Sequence, residues 1–199
     1  MLVRQHTCAA TSNRLGGVAL ERGDNEDMNS AQLYLTTIER SDDDLRRAIV
    51  GLTTAELRLQ PAGAGSSTVG WLIWHLSRTR DSIVANLSGA ITTWESEGWA
   101  EAFDMSTESP PVFTPQDVHQ FDPKSVETLT GYFEAVASAT AVTIRLLSED
   151  DLGRLVPPMR PGRPPMTVAA RLAVILNDNI QHIGQIAYLR GIIREQGWY

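Results

Sequence analysis

Asp178 and His182 stand four residues apart in the run Asn177-Asp178-Asn179-Ile180-Gln181-His182-Ile183-Gly184-Gln185-Ile186. On a helix, residues at i and i+4 are neighbours with Cβ atoms about 5–6 Å apart, so a carboxylate and an imidazole at this spacing converge on one divalent cation at ligand distances of about 2.0–2.2 Å. His75, in Val69-Gly70-Trp71-Leu72-Ile73-Trp74-His75-Leu76, is the candidate third ligand. Together they predict a two-histidine, one-carboxylate metal site between two packed helices. An acid and a histidine four apart also occur on ordinary solvated helix faces, and a lone histidine such as His75 is commonly a satisfied core residue. The flanking residues favour the metal. Leu172, Ala173, Ile175, Leu176, Ile180, Ile183, Ile186, Ala187 and Leu189 predict a largely buried helix, where an unpaired carboxylate is costly and coordination offsets its desolvation. Trp71 and Trp74 read as core or rim packing.

Four helices must position these residues. The first is expected from about Ser30 to Val50, capped by Asn29 with Gln32 at the third helical position; Tyr34, Ile38, Leu45, Ile49 and Leu52 form its stripe, and Asp42-Asp43-Asp44 is placed on the solvated side. Thr53-Thr54-Ala55-Glu56 has capping-box spacing for one short turn before the loop Pro61 to Gly65. Ser67 or Thr68 caps the second helix, whose stripe from Val69 to Leu87 closes near Ser88-Gly89. Residues 90–121 read as a long crossover with a short helix around 92–102. Asp122-Pro123 signals a third helix running to about Leu147, with the aspartate as cap and the proline at the first helical position. The prolines between Val156 and Pro165 exclude helix there, and Thr167 caps a fourth from about Val168 to Arg190. Strand signal is nearly absent, so the fold class is all-α, a four-helix bundle with a long crossover between helices 2 and 3. There is no internal repeat.

A chain of 199 residues with 42% hydrophobic composition suits one domain, here residues 28–199. Residues 1–27 lack helical period and read as a disordered extension carrying His6; Met28, directly before the first cap, reads as a candidate initiator. The formal charge of −7 without a long basic run argues against nucleic acid as partner. Neither a membrane span nor a secretory signal is evident, so a cytoplasmic location is expected. Cys8 is the single cysteine, which excludes an internal disulfide framework and leaves the predicted bundle without a thiol of its own. Lys124 is the only lysine, an arginine bias pointing to a GC-rich genome.

Three runs carry a family resemblance: Leu52-Thr53-Thr54-Ala55-Glu56-Leu57, Ser67 to Leu76 with its Trp-Leu-x-x-His-Leu ending, and His182 to Gly191. Over about residues 29–195 the chain resembles the DinB/YfiT-like superfamily. That resemblance implies a four-helix bundle, plausibly a homodimer, with a divalent metal such as zinc or nickel on three side chains, commonly histidines, at the positions matching His75, Asp178 and His182. Asp178 departs from the histidine pattern and is similar to the mycothiol-dependent maleylpyruvate isomerase branch, in which a glutamate stands there.

Three protein ligands leave a coordination position open, as catalytic sites do. A thiol bound there ionises more easily, and the resemblance implies S-transferases or isomerases using a low-molecular-weight thiol, mycothiol in actinobacteria or bacillithiol in low-GC Gram-positive bacteria. The arginine bias favours mycothiol. Metal-assisted hydrolysis and a non-catalytic, metal-stabilised stress-related bundle are the alternatives. Arg160 and Arg163 are candidates for holding an anionic group of substrate or cosubstrate, against the reading that they are solvated loop charges. His119, in the crossover, is a weaker contact candidate. Gln185 and Arg190 are expected beside His182 or at the bundle end.

Overall fold

Asn29 opens the first helix through a reciprocal capping box: its Oδ1 accepts the Gln32 backbone N–H at 2.8 Å while Gln32 Oε1 accepts the Asn29 N–H at 2.8 Å. In this computed structural model, which describes residues 28–108 and 113–197, α1 spans Ser30–Ile49. Thr53 and Glu56 form a second capping box on the one-turn α2, Thr54–Leu57. Thr68 caps α3, Val69–Ser88, which ends at Gly89 in the left-handed region at φ 73°. Short helices α4 (Thr93–Ser96), α5 (Trp99–Ala102) and α6 (Pro115–Gln120) occupy the crossover. α7 is Val126–Arg145 and α8 Glu149–Leu152. The two-residue strands β1 (Leu155–Val156) and β2 (Met166–Thr167) pair antiparallel around the proline-rich segment. α9, Val168–Arg194, is capped by Thr167 and runs one turn beyond its expected end.

The expected start of the third helix is corrected. Asp122 does not cap it; Ser125 does, accepting the Thr128 N–H at 3.1 Å. Lys124 takes φ 61°, which breaks the helical path after Pro123, and Asp122 instead pairs with Arg58 at 2.5 Å and with Lys124 at 3.3 Å.

α1 and α3 each pack against both α7 and α9, so they face each other across the bundle diagonal. Two apolar clusters fill it. One gathers Leu45, Ile49, Leu72, Leu76, Leu129, Phe133 and Ile186 with the crossover's Trp94 and Phe103; the other gathers Ile38, Ile83, Ile144, Leu172 and Ile175. Between them every long helix contributes a buried polar side chain: Ser41 and Asp42 from α1, Ser77 and Arg80 from α3, Thr140 from α7, Asn179 from α9.

At this level the placement of Asp42 on the solvated side is corrected. Asp42 is 3% exposed and takes a bidentate pair from Arg80 across the diagonal, Nη1–Oδ1 2.6 Å and Nη2–Oδ2 3.1 Å, while Arg80 Nε donates to Thr140 Oγ1 at 2.7 Å. The phase explains it: Asp42 lies four residues after Ile38 and three before Leu45, on the apolar stripe. Asp43 and Asp44 do face outward, pairing with Arg46 and Arg47.

A second buried carboxylate ties down the crossover. Asp81 accepts the backbone N–H groups of Thr93 and Trp94, each at 2.8 Å, and the Tyr132 hydroxyl at 2.9 Å, while the Arg78 guanidinium lies 4.5 Å over the Trp94 ring. At the start of α3, Gly70 permits close approach of the chain before α7; a Cβ there would stand 2.9 Å from Pro123 Cβ and 3.0 Å from the Leu57 carbonyl. Among the described residues, no helix is long and apolar enough to cross a membrane.

Candidate metal centre

α3 presents His75 toward α9, and the i, i+4 spacing on α9 puts Asp178 and His182 on one face opposite it. One ligand atom from each of the three residues lies within 4.8 Å of the others. His182 Nε2 stands 3.5 Å from Asp178 Oδ1, and the His75 and His182 rings meet edge to face at 5.1 Å. Ligands at tetrahedral positions about 2.0–2.2 Å from a zinc-type ion are about 3.3–3.6 Å apart, so the Asp178–His182 pair has the required spacing and no pair has to close by more than about 1.5 Å. Asp178 Oδ2 is buried with no hydrogen-bond partner among the described residues. Such an orphan costs about 1–3 kcal/mol, which a cation would offset. The donor set and this orphan fit a divalent ion.

The two imidazoles are prepared differently. Burial, opposed by the Asp178 charge, pushes His75 below its ordinary pKa, with His182 adding to the lowering. Burial also acts to lower His182, but the neighbouring Asp178 carboxylate and the hydrogen-bond contact with Gln185 outweigh it and raise the pKa. Trp71 stacks on His75, and Phe113 meets both rings edge-on at 5.9 and 5.8 Å. Trp74, 2% exposed, packs among Trp94, Phe113 and Phe121. Both tryptophans are thus packing residues, Trp71 directly against a candidate ligand.

The expected burial of the last helix is corrected. Ala173, Val174, Ile180, Gly184, Tyr188 and Ile192 are exposed, and the Asp178 and His182 side chains retain 21% and 17% exposure, so the trio opens toward solvent along one edge of α9. Gln185 reaches His182, its Oε1 2.7 Å from Nδ1. Arg190 donates to the Val50 carbonyl at 2.8 Å and so seals the end of α1.

Arg160 and Arg163 are exposed in the loop between β1 and β2. The base of that loop is held at the far end of α3, where Asn86 and Arg171 donate to the Pro157 carbonyl at 3.4 and 3.3 Å. Asn86 lies eleven residues beyond His75, about 16 Å along the helix axis. No described contact joins either arginine to the trio. His119 is exposed on α6 and bonds Gln60 at 2.8 Å, away from the ligand atoms. His6 and Cys8 lie outside the described residues.

No curated protein matches the chain significantly. A solved structure described as a conserved protein from Enterococcus faecalis is similar in fold, with a TM-score of 0.75 and 24% identity over 85% of this chain and 99% of that one. The family model described as the DinB superfamily matches residues 37–186, which span all three candidate ligands except the last turns of α9 beyond them. With that match over three quarters of its length, on an all-α bundle whose two adjacent helices bring His75, Asp178 and His182 together, the chain belongs to the DinB superfamily.

Proposed function

We propose that the protein binds one divalent ion through His75, Asp178 and His182 and transfers an exogenous low-molecular-weight thiol, mycothiol, to a small electrophile. The observation that carries the metal is the convergence of three ligand atoms within 4.8 Å, on a carboxylate whose Oδ2 has no hydrogen-bond partner among the described residues. An ion held there lowers the pKa of a thiol and supplies thiolate near neutral pH. The chain's own residues do the rest. Burial favours the neutral form of His75, which has a lone pair to donate, Asp178 supplies a carboxylate, and the Trp71 and Phe113 rings pack against the imidazole. In the transfer a C–S bond forms, the electrophile's leaving group departs with its electron pair, and the thiol proton passes to solvent. The thiol is read as exogenous, since Cys8 is the only cysteine of the sequence and none lies among the described residues. The carboxylate at 178, similar to the mycothiol-dependent branch, supports the choice of thiol.

Metal analysis of purified protein, followed by a thiol-conjugation screen, tests this. Stoichiometric metal is expected in the wild type, lost in His75→Ala, Asp178→Ala and His182→Ala and partly kept in Asp178→Glu. Turnover should vanish with a chelator, return with metal, and survive Cys8→Ser. Full metal occupancy in all three alanine variants would remove the site. Metal binding without turnover across thiols and electrophiles would favour a metal-stabilised, non-catalytic bundle, whereas thiol-independent cleavage of esters or amides would favour a hydrolase.

The partner in this reading is a second copy of the chain. From Ala173 to Ile192 no fully exposed residue of α9 is charged, although the chain carries −7 overall. Two copies meeting on this face would bring the uncharged exposed residues of α9 together, with Ile180 and Tyr188 flanking Gly184 and the opposite charges Arg40 and Asp44 of α1 lining the adjoining groove. Tyr188→Asp should convert a dimer to monomer in sedimentation, and Val142→Asp on α7 should not; a monomeric wild type at tens of micromolar rules the interface out.

A further inference from the structure

Neutral His182 has one ring proton and two acceptors competing for it. Gln185 Oε1 stands 2.7 Å from Nδ1, a full-strength hydrogen-bond distance, whereas Asp178 Oδ1 stands 3.5 Å from Nε2, beyond the usual 2.7–3.2 Å range (about) for N–H···O bonds. Only one outcome suits a metal. If the proton sits on Nε2, the nitrogen facing Asp178 is a donor and cannot ligate; if it sits on Nδ1, the Nε2 lone pair points toward the candidate ligand set.

We infer that Gln185 is a positioning residue, holding the His182 proton on Nδ1 and thereby keeping Nε2 free for the ion. The inference rests on the metal reading of the trio. Gln185 lies three residues after His182 on the same helix, so the bond is local and needs no other element to form. Its role follows from the neighbouring carboxylate. At 2.7 Å against 3.5 Å the amide oxygen is the better placed acceptor; without Gln185, Nδ1 loses it, and the proton would move to Nε2 and pair with the Asp178 carboxylate. The same Asp178 that attracts a cation would then lock His182 in the non-ligating tautomer. Gln185 is exposed and both leucine and glutamate are good helix formers, so replacing it leaves the fold intact.

Two measurements on the full chain test this. In metal-free, ¹⁵N-labelled protein, long-range proton–nitrogen correlation at about two pH units above the ordinary histidine pKa reads the His182 tautomer directly. Wild type should be protonated on Nδ1, Gln185→Leu predominantly on Nε2, and Gln185→Glu again on Nδ1. Zinc affinity by chelator competition should fall about 10–100-fold in Gln185→Leu and recover in Gln185→Glu. A wild type protonated on Nε2, as an amide turned to present its NH₂ to Nδ1 would give, overturns the inference. So does undiminished zinc affinity in Gln185→Leu, which leaves the metal site itself standing. If the tautomers behave as expected but no form of the protein binds zinc, it is the metal reading that fails.

Discussion

The ring of His75 lies flat on the indole of Trp71, one helical turn earlier on α3, with centroids 4.5 Å apart and planes 11° from parallel. The stack removes water from one face of the imidazole and fixes its plane toward α9. Trp71→Ala should let the His75 pKa rise toward the ordinary value, because the burial that depresses it is lost. It should also cost about 3–5 kcal/mol of stability. Trp71→Phe keeps a ring in place and should preserve most of both. Titration of His75 by NMR and urea unfolding decide; an unshifted His75 in the alanine variant would show that other groups bury it.

Metal-free stability should depend on pH through His75 and His182 in opposite senses. His182 has a raised pKa, so the folded state binds its proton more tightly: that contribution is present below 6.5 and lost as pH rises through the folded value. His75 has a lowered pKa, so its contribution is present above 6.5 and lost as pH falls through the folded value. The pair alone therefore gives a maximum near 6.5. Unfolding free energies measured from acid to alkaline pH should show His75→Ala flattening the acid limb and His182→Ala the alkaline limb. Identical profiles in wild type and both variants would exclude this linkage.

The Asp42–Arg80 pair should be far more sensitive to breaking than to replacement. Arg80→Met strands a buried carboxylate and is expected to cost about 3–5 kcal/mol. Asp42→Leu combined with Arg80→Met removes both charges and should be much closer to wild type. Urea unfolding of the two singles and the double gives the coupling; additive losses would mean that the pair acts independently.

Gly70→Ala should destabilise by about 1–3 kcal/mol, since its Cβ meets both a proline ring and a backbone carbonyl. Gly184→Ala, with open space around its Cβ and a helical backbone, should not. Thermal melts of the two variants side by side check the contrast.

The helix starts at Asn29, Thr53, Thr68 and Thr167 were readable because a cap is a contact between residues three apart, complete within a few letters of sequence. The convergence of Asp178 and His182 on α9 was readable for the same reason, and His75 from its place on a second apolar helix-like segment. Asp42 was misplaced because three consecutive aspartates looked like a solvated run, although its phase with Ile38 and Leu45 marked it as inward; its partner lies 38 residues away, and Arg80 likewise interrupts the apolar stripe of α3. Asp122-Pro123 offered a sound local start, overridden by the left-handed turn at Lys124 and by the ion pair with Arg58. The exposed face of α9 was hidden by its own composition, since exposed apolar residues and apolar residues facing a core spell the same pattern.

The polar layer has a geometric consequence for the candidate metal centre. Apolar helices can slide past one another by a turn and still find greasy neighbours, but a one-turn slip of α3 would carry Arg80 about 5.4 Å from Asp42 and Thr140. The cross-brace thus sets the axial register of α3, and His75 lies only five residues, about 7.5 Å, above it on the same rod. Ligand bonds tolerate errors of about 0.2 Å. A buried ion pair that touches no ligand therefore acts as the datum from which the height of His75 against Asp178 and His182 is measured.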